Sequence, residues 1–279
     1  MENAQILTEL YEVIKQNTPD QYARIIRERA SYSFLYHLSE IRQNLIGWLP
    51  IDATKRVLEC NPECGALTGK LLSMAKEVVC LITDDRQEQI LSARFATDSR
   101  DGRLIFTREI PTETQSFDVI LIAGSFYRWQ NQLTDLRNLL CRDGYLYLAD
   151  ANRIGLKYLA GYQEEYVCGY FTGINGYSNV DCVENSGRSY TRSEYQRLLT
   201  RAGFDDLKWY YPYPDHKFPS VIYSDDWLPA AGELAEGRSN YDRDRVACFD
   251  ERVMADTLLA EGVYGTFANS FLIVAGQEG

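Results

Sequence analysis

Between residues 56 and 149 the chain alternates short, continuously apolar runs with stretches of helical spacing, and few architectures accept that pattern. The apolar runs fall at 56–59, 78–82, 104–106, 117–123 and 145–149. Unbroken apolarity, rather than strict alternation, is what a parallel strand buried on both faces requires. Helices are expected between the runs, at 66–74, from Asp84-Asp85 through Ile90 and Leu91, and at 132–141. Asp143-Gly144 reads as the stop of the last of these, with glycine supplying the left-handed residue that ends a helix cheaply. Strand–helix alternation of this kind implies a doubly wound, mostly parallel sheet. Runs at 207–211 and 270–275 bring the expected strand count to seven. Thr191-Arg192-Ser193-Glu194 has the form of a capping box, opening a helix through Tyr195, Leu198 and Leu199 that stops at Gly203.

Residues 1–50 read as a helical segment of their own, with Tyr32, Leu35, Leu38, Ile41 and Leu45 on one apolar face that ends at Trp48-Leu49-Pro50. Residues 51–279 then form one α/β domain with insertions at about 150–190 and 212–268. Such insertions are expected over the carboxyl edge of the sheet, where doubly wound folds bind ligands.

A net charge of −11 disfavours general binding to phosphate backbones, and no Lys/Arg run offers a local exception. No stretch reaches the roughly 18 apolar residues of a membrane span. Met1-Glu2-Asn3-Ala4 lacks the basic start of a signal peptide, so a cytoplasmic protein is expected, with neither nucleic acid nor membrane as partner. The seven cysteines are scattered, several in apolar runs, and read as free buried thiols. Cys60-x-x-x-Cys64 has no matching second pair and no nearby histidine, so no metal site is expected.

The run Val57-Leu58-Glu59-Cys60-Asn61-Pro62-Glu63-Cys64-Gly65-Ala66-Leu67-Thr68-Gly69 resembles the first motif of class I S-adenosylmethionine (SAM)-dependent methyltransferases, an acidic residue followed by Gly-x-Gly-x-Gly. The resemblance continues through 118–122 and 143–146. It is most specific at 152–161 (Asn-Arg-Ile-Gly-Leu-Lys-Tyr-Leu-Ala-Gly) and 210–219 (Tyr-Tyr-Pro-Tyr-Pro-Asp-His-Lys-Phe-Pro), and 37–48 and 240–245 also fit. Those stretches are similar to a bacterial subgroup often associated with surface-polysaccharide biosynthesis. The resemblance implies a Rossmann-like methyltransferase fold and SAM as cofactor. It places the cofactor contacts at Glu59, Asn61, Glu63 and Gly65, at Ile82, Thr83 and Asp84 after the second strand, and at Gly124 after the fourth. It also implies a small-molecule or glycan acceptor, and either a homodimer or a pairing with a related active subunit.

The sequence departs from that pattern around the cofactor. Asn61 and Glu63 stand where the first two glycines belong. Asn tolerates positive φ, whereas Glu63 brings bulk and negative charge to where the methionine carboxylate would pass. Ile82 stands where an acidic residue would accept the ribose hydroxyls, and leaving these unpaired costs about 1–3 kcal/mol each. Thr83, Asp84 or Asp85 could substitute if the strand ends differently. Phe126 and Tyr166 stand where an acidic residue and a histidine are expected. Together these changes imply a weakened, remodelled or lost cofactor site, and so either an active methyltransferase or a catalytically degenerate relative that binds a partner or a glycan.

Methyl transfer to a hydroxyl needs positioning and a general base. Of the two histidines, His37 lies in an apolar helix and reads as structural, and His216 lies in a Pro- and Tyr-rich loop. Glu164 and Glu165 are either acceptor-site carboxylates or a solvated helix face, the second being the preferred reading. His216 and Glu165 are therefore the candidate catalytic residues. Arg153 and Lys157 could grip an anionic acceptor or pair with surface carboxylates. Tyr210, Tyr211 and Tyr213 are expected to pack against the insertion.

Overall fold

The computed structural model describes residues 4–178, 187–234, 243 and 245–277. One mixed sheet contains eight strands: β1 Arg56–Glu59, β2 Glu77–Leu81, β3 Leu104–Thr107, β4 Phe117–Ala123, β5 Leu140–Ala151, β6 Asp206–Tyr213, β7 Val221–Ser224 and β8 Ser270–Gly276. Their order is β3-β2-β1-β4-β5-β8-β6-β7. All seven expected strands are present, and β7 is the addition. Its four residues are too short to stand out from the surrounding loop by periodicity. By contacts the chain divides into two compact units, 1–121 with 138–145, and 122–137 with 146–279.

In the first unit β1 pairs in parallel with β2 and with β4, and β2 pairs in parallel with β3. Four of the five residues of β2 are buried, as strands covered on both faces require. The helices are α1 Ala4–Gln16, α2 Tyr22–Arg29, α3 Tyr32–Leu38, α4 Thr68–Met74, α5 Asp85–Arg94 and α6 Ala96–Arg100. Leu10, Val13 and Ile14 of α1, Tyr22 and Ile25 of α2, and Phe34 and Leu38 of α3 share one apolar core with Cys64 and with Ile90 of α5. Each such side chain contributes roughly 1.5–3 kcal/mol by burial. That core fixes the N-terminal helices against the loop after β1.

Two local expectations change. The apolar face read through Tyr32 and Leu45 is not one helix. The Ser39 hydroxyl accepts from the Ile41 N–H and starts a separate 3₁₀ turn, Glu40–Leu45, leaving Ile41 49% exposed. Serine offers the backbone a local hydrogen bond that competes with helix continuation. Gly144, read as a left-handed helix stop, lies inside β5 instead. A Cβ there would come within 3.0 Å of the Asp118 carbonyl, so its need is close approach rather than positive φ.

In the second unit β8 pairs antiparallel with β5 and with β6, and β6 pairs antiparallel with β7. Its helices are α7 Leu133–Leu139, which begins here, α8 Leu156–Leu159, α9 Arg192–Arg201, α10 Glu251–Ala260 and α11 Tyr264–Phe267. The capping box is present. The Thr191 hydroxyl accepts from the Glu194 N–H, and the Glu194 carboxylate accepts from the Thr191 N–H. Gly203 ends that helix at φ +88°. Phe271 of β8 is buried among the rings of Tyr195, Trp209 and Tyr211.

No helix among the described residues is long and apolar enough to cross a membrane. Cys60, Cys64 and Cys80 are buried free thiols as expected, whereas Cys168 and Cys248 are exposed. Cys182 and residues 240–242 and 244 of the resembling stretch lie outside the described residues.

Candidate functional site

Glu59 ends β1 and is 1% exposed. One carboxylate oxygen accepts from the Thr68 hydroxyl (2.7 Å) and the Cys80 thiol (3.5 Å), and the other has no partner among the described residues. Burial pushes this carboxyl up to about 7, against the lowering pull of Thr68, Cys80 and Arg42. A raised folded pKa means that the fold holds the proton more tightly than the unfolded chain does. Stability is therefore lost as pH rises from the ordinary range near 4.5 through about 7. Glu59→Gln cannot ionise. Relative to wild type it should gain about 1–2 kcal/mol between pH 5 and pH 8, read as the difference between urea melts at the two pH values. A gain that does not depend on pH would show that Glu59 is charged throughout.

The turn after β1 keeps a glycine-loop shape by unexpected means. Positive φ occurs at Glu63 (+48°) and Gly65 (+84°), and not at Asn61, so the tolerance of Asn for that region is not what the turn uses. A Cβ on Gly65 would lie 2.6 Å from the Phe95 ring, so this glycine serves close packing onto the segment after α5. The Glu63 side chain is drawn away to the N-terminal helices. Its carboxylate accepts from Arg42 Nη1 (3.1 Å) and from the Tyr36 hydroxyl (3.2 Å). The Arg42 guanidinium lies 3.7 Å from the centre of the Tyr36 ring and donates to the Tyr36 carbonyl and hydroxyl as well. Burial works against that charge, but Tyr36 and Glu63 outweigh it and raise its pKa. The negative charge expected to repel a ligand is therefore neutralised inside the protein.

At the end of β2, Ile82 is 3% exposed and its N–H extends the ladder to the Thr107 carbonyl. It cannot receive hydroxyls. The next two residues can. The Asp84 carboxylate caps α5 by accepting from the Gln87 N–H (2.9 Å) and also accepts from the Thr83 hydroxyl (3.2 Å). Both side chains are exposed, and ionised carboxylates have about four acceptor positions in all. Thr83, Asp84 and Gln87 line one cleft of about 190 Å³ together with Glu63 and Cys64 of the loop, His37 of α3, Leu7 of α1 and Ile90 of α5. Loop and strand end thus meet in one pocket, whose lining combines the acceptors of Thr83, Asp84 and Gln87 with apolar Leu7 and Ile90. Such acceptors beside apolar side chains suit a ligand that carries both hydroxyls and an apolar face. His37, read as structural, is a wall of this cleft, and Arg42 and Gln87 were not singled out by sequence. Arg42 lies in the mixed segment Leu38-Ser39-Glu40-Ile41-Arg42-Gln43-Asn44-Leu45, where nothing local marks it out.

In the second unit Gly124 follows β4 at φ +77°, and its N–H donates to the Ala149 carbonyl. Phe126, in place of an acidic residue, is wholly buried against Tyr190 and Tyr195. Tyr166, in place of a histidine, donates to Asp150 (2.7 Å) and accepts from the Ser125 N–H. Asp150 also accepts from the Phe126 N–H, and burial pushes it up to about 7. Both departures therefore belong to one bonded anchor for the turn after β4.

The expectation that Glu164 and Glu165 form a solvated helix face is overturned. They follow α8 in a loop, and Glu164 is 2% exposed. Its carboxylate binds the Tyr166 and Val167 N–H groups, the Tyr177 hydroxyl and the Ser189 hydroxyl, clamping the loop. Glu165 sits in a buried ion cluster. Lys217 Nζ donates to both of its oxygens (2.9 and 3.2 Å), Tyr158 donates to one, and Lys157 donates to Asp215 at 2.8 Å. Burial alone would raise Glu165, but Lys217 and Lys157 hold it at about 2, and the same lysines pull Asp215 lower still. His216 lies between these residues in sequence and is 4% exposed. Burial depresses its imidazole to about 4, against Asp215 and Glu165, so it is neutral at pH 7. The two candidate catalytic residues are thus brought together, in a closed cluster. Of the other candidates, Arg153 pairs with Glu194, and Tyr211 bonds Arg192 and Asp225.

No protein-family model and no curated protein matches this sequence. Solved structures do match in shape. One is a chain of the complex between the Haloferax volcanii Trm112 methyltransferase activator and a methyltransferase, at 14% identity and TM-score 0.52, covering 94% of this chain and 99% of that one. Another is a SAM-dependent methyltransferase from Archaeoglobus fulgidus, at 14% identity and TM-score 0.51, covering 88% and 99%. A third is the 4+2 cyclase SpnF, at 14% identity and TM-score 0.51, covering 86% and 81%. At such identities the likeness concerns the fold, and the cyclase illustrates that one fold hosts different chemistries. The chain has the Rossmann-like α/β fold of class I, SAM-dependent methyltransferases.

Proposed function

We propose that this protein binds an adenosyl ligand of the SAM type in the cleft of its first unit. The observation that carries the reading is that Glu63 and Cys64 of the β1 turn line the same cleft as Thr83 and Asp84 of the β2 end, with the Glu63 charge taken up by Arg42. Thr83 and Asp84 then do for the ribose hydroxyls what Ile82 cannot. Bound SAM supplies an electrophilic methyl group. This chain's part is to hold the adenosyl portion, with Leu7 and Ile90 keeping water from its apolar face. The sequence resemblance points to a hydroxyl of a sugar or related metabolite as acceptor.

A second reading, a catalytically degenerate relative that binds a partner or a glycan, is favoured by one observation. Glu165 is locked onto Lys217, and His216 is buried with a depressed pKa, so neither is placed to take a proton from an acceptor. Calorimetric titration separates the cases. SAM and S-adenosylhomocysteine are expected to bind with micromolar affinity. Asp84→Asn, which keeps the helix cap, should weaken that binding by about tenfold through loss of charged hydrogen bonds. No binding up to about millimolar ligand, roughly −4 kcal/mol, would overturn the proposal. Transfer of a labelled methyl group to a panel of hydroxylated sugars would select the enzyme reading, and tight binding without transfer the degenerate one.

A further inference from the structure

In the second unit, Val246-Ala247-Cys248-Phe249 is a run of four uncharged, mostly apolar residues, and all four are exposed. Val246 and Phe249 are 54% and 42% exposed, and Val253, in the first turn of α10, is 65% exposed. The run is held in place from within. The Arg243 guanidinium donates to the carbonyl oxygens of Glu164 and Glu165 just before it. The Val246 N–H donates to the Gly161 carbonyl and the Cys248 N–H to the Ala160 carbonyl, each at 3.1 Å. Gly161 has φ +100°, and a Cβ there would run into the Val246 carbonyl, so only glycine lets the run lie this close. Apolar side chains left in water on a segment fixed in this way mark a contact surface.

Two N–H groups, two residues apart and aimed at the same neighbour, describe an extended chain. Ala247 lies between them, so its N–H and C=O turn the other way, and neither has a partner among the described residues. The run is therefore a short free strand edge. Proteins guard such edges with charges or proline, and residues 246–249 contain neither. The charges next to it are matched in pairs, Arg245 with Glu251 and Arg252 with Asp250. The edge is thus locally neutral in a chain of net charge −11. A basic partner finds no net negative charge here. A second copy is repelled by the net charge elsewhere, and at this edge meets no opposing charge. The backbone favours the same occupant. A residue with one free donor and one free acceptor matches itself in an antiparallel copy, because two such residues exchange both bonds.

We infer that residues 246–249 are the contact edge of a twofold dimer of this chain, with Ala247 opposite the same residue of the second copy. Val246, Phe249 and Val253 supply the apolar surface that the contact removes from water. The inference does not depend on what the cleft of the first unit binds.

The test is sedimentation velocity on the full chain from about 1 to about 100 µM, the range of a weak, small interface. Reductant is present, so that exposed Cys248 adds no covalent dimer. The wild type is expected to move from monomer to dimer across this range. Ala247→Asp and Ala247→Lys are tolerated by the monomer, because the side chain is exposed. Each places like charges directly opposite one another across the twofold, and each should weaken association by about fivefold or more. An equimolar mixture of the two variants should recover the dimer, because aspartate then faces lysine. That recovery belongs to self-pairing at this residue, and contact with an unlike surface would not produce it. A wild type that stays monomeric at about 100 µM overturns the inference and leaves the edge to a different partner. Variants that dimerise as well as the wild type overturn it too, since the contact then lies elsewhere. So do monomeric variants whose mixture stays monomeric.

Discussion

Replacing Lys217 with methionine is expected to lower the unfolding free energy by about 3–5 kcal/mol, one of the largest single effects in this chain. Lys217, Lys157, Glu165 and Asp215 have side chains only 5–14% exposed, so little solvent screens their charges. The four charges sum to zero, and each lysine has one short bond to its own acid and a second acid at 4.0 Å. Removing Lys217 leaves Glu165 with the Tyr158 hydroxyl and the distant Lys157, and an uncompensated buried carboxylate is what makes breaking such pairs expensive. Urea melts at pH 7 read the loss directly. In thermal melts it corresponds to a shift of about 6–20 °C for a chain of this size. Adding Glu165→Gln should restore most of the loss, because the stranded charge is gone. A cost below about 1 kcal/mol would mean that water reaches the cluster.

The same cluster sets the acid side of the stability curve. Glu165 is held at about 2 against an ordinary 4.5, and Asp215 lower still. Their contribution is full above the ordinary carboxylate range and is lost as pH falls toward about 2. His216 acts in the same direction. Its folded pKa of about 4 lies below the ordinary 6.5, so the unfolded chain takes up a proton first and stability falls between 6.5 and 4. Glu59 and Asp150, both raised to about 7, act oppositely over the neutral range. The two groups together place maximal stability at mildly acidic to neutral pH.

Much of this was legible in the chain itself. The parallel strands announced themselves because burial on both faces forces unbroken apolar runs, and the capping box because Thr191 and Glu194 satisfy each other locally. What was not legible depends on partners distant in sequence. Nothing near Glu63 says that Arg42, 21 residues earlier, will take its charge. Nothing near Glu165 says that Lys217, 52 residues later, will bury it. Charged residues in loops read as solvated because most are, and only the fold reveals the exceptions. Ile82 is apolar and buried, as a residue continuing the strand ladder would be. That the strand ends at Leu81, leaving Thr83 and Asp84 at the cleft, was a question of boundary, the least predictable feature of any element.

Restoring glycine at the loop should weaken the protein, not repair it. Glu63→Gly removes a left-handed non-glycine residue at φ +48°, which alone would gain about 1 kcal/mol. It also strips Arg42 of its carboxylate. The Arg42 side chain is 5% exposed and already has one N–H, at Nε, without a partner among the described residues. A buried guanidinium left with only the Tyr36 oxygens costs about 3–5 kcal/mol, discounted to about 2–4 because the Glu63 end of the pair is 33% exposed. The net expectation is a loss of about 1–3 kcal/mol in urea melts. Arg42→Met together with Glu63→Gly should return stability close to wild type, since the stranded charge leaves with its partner. Ile82→Glu, which would restore the missing acid, fails for a related reason. That side chain is 3% exposed, so the new carboxylate enters the core without a counter-ion while Asp84 already stands at the cleft. If Glu63→Gly proves as stable as wild type and the double change adds nothing, the pair is not what holds the loop, and the charge at Glu63 returns as an obstacle to any anionic ligand. If the loss appears and the double change reverses it, the departure at this position is a matched exchange of glycine for an internal ion pair. The cleft is then a remodelled site and not a decayed one.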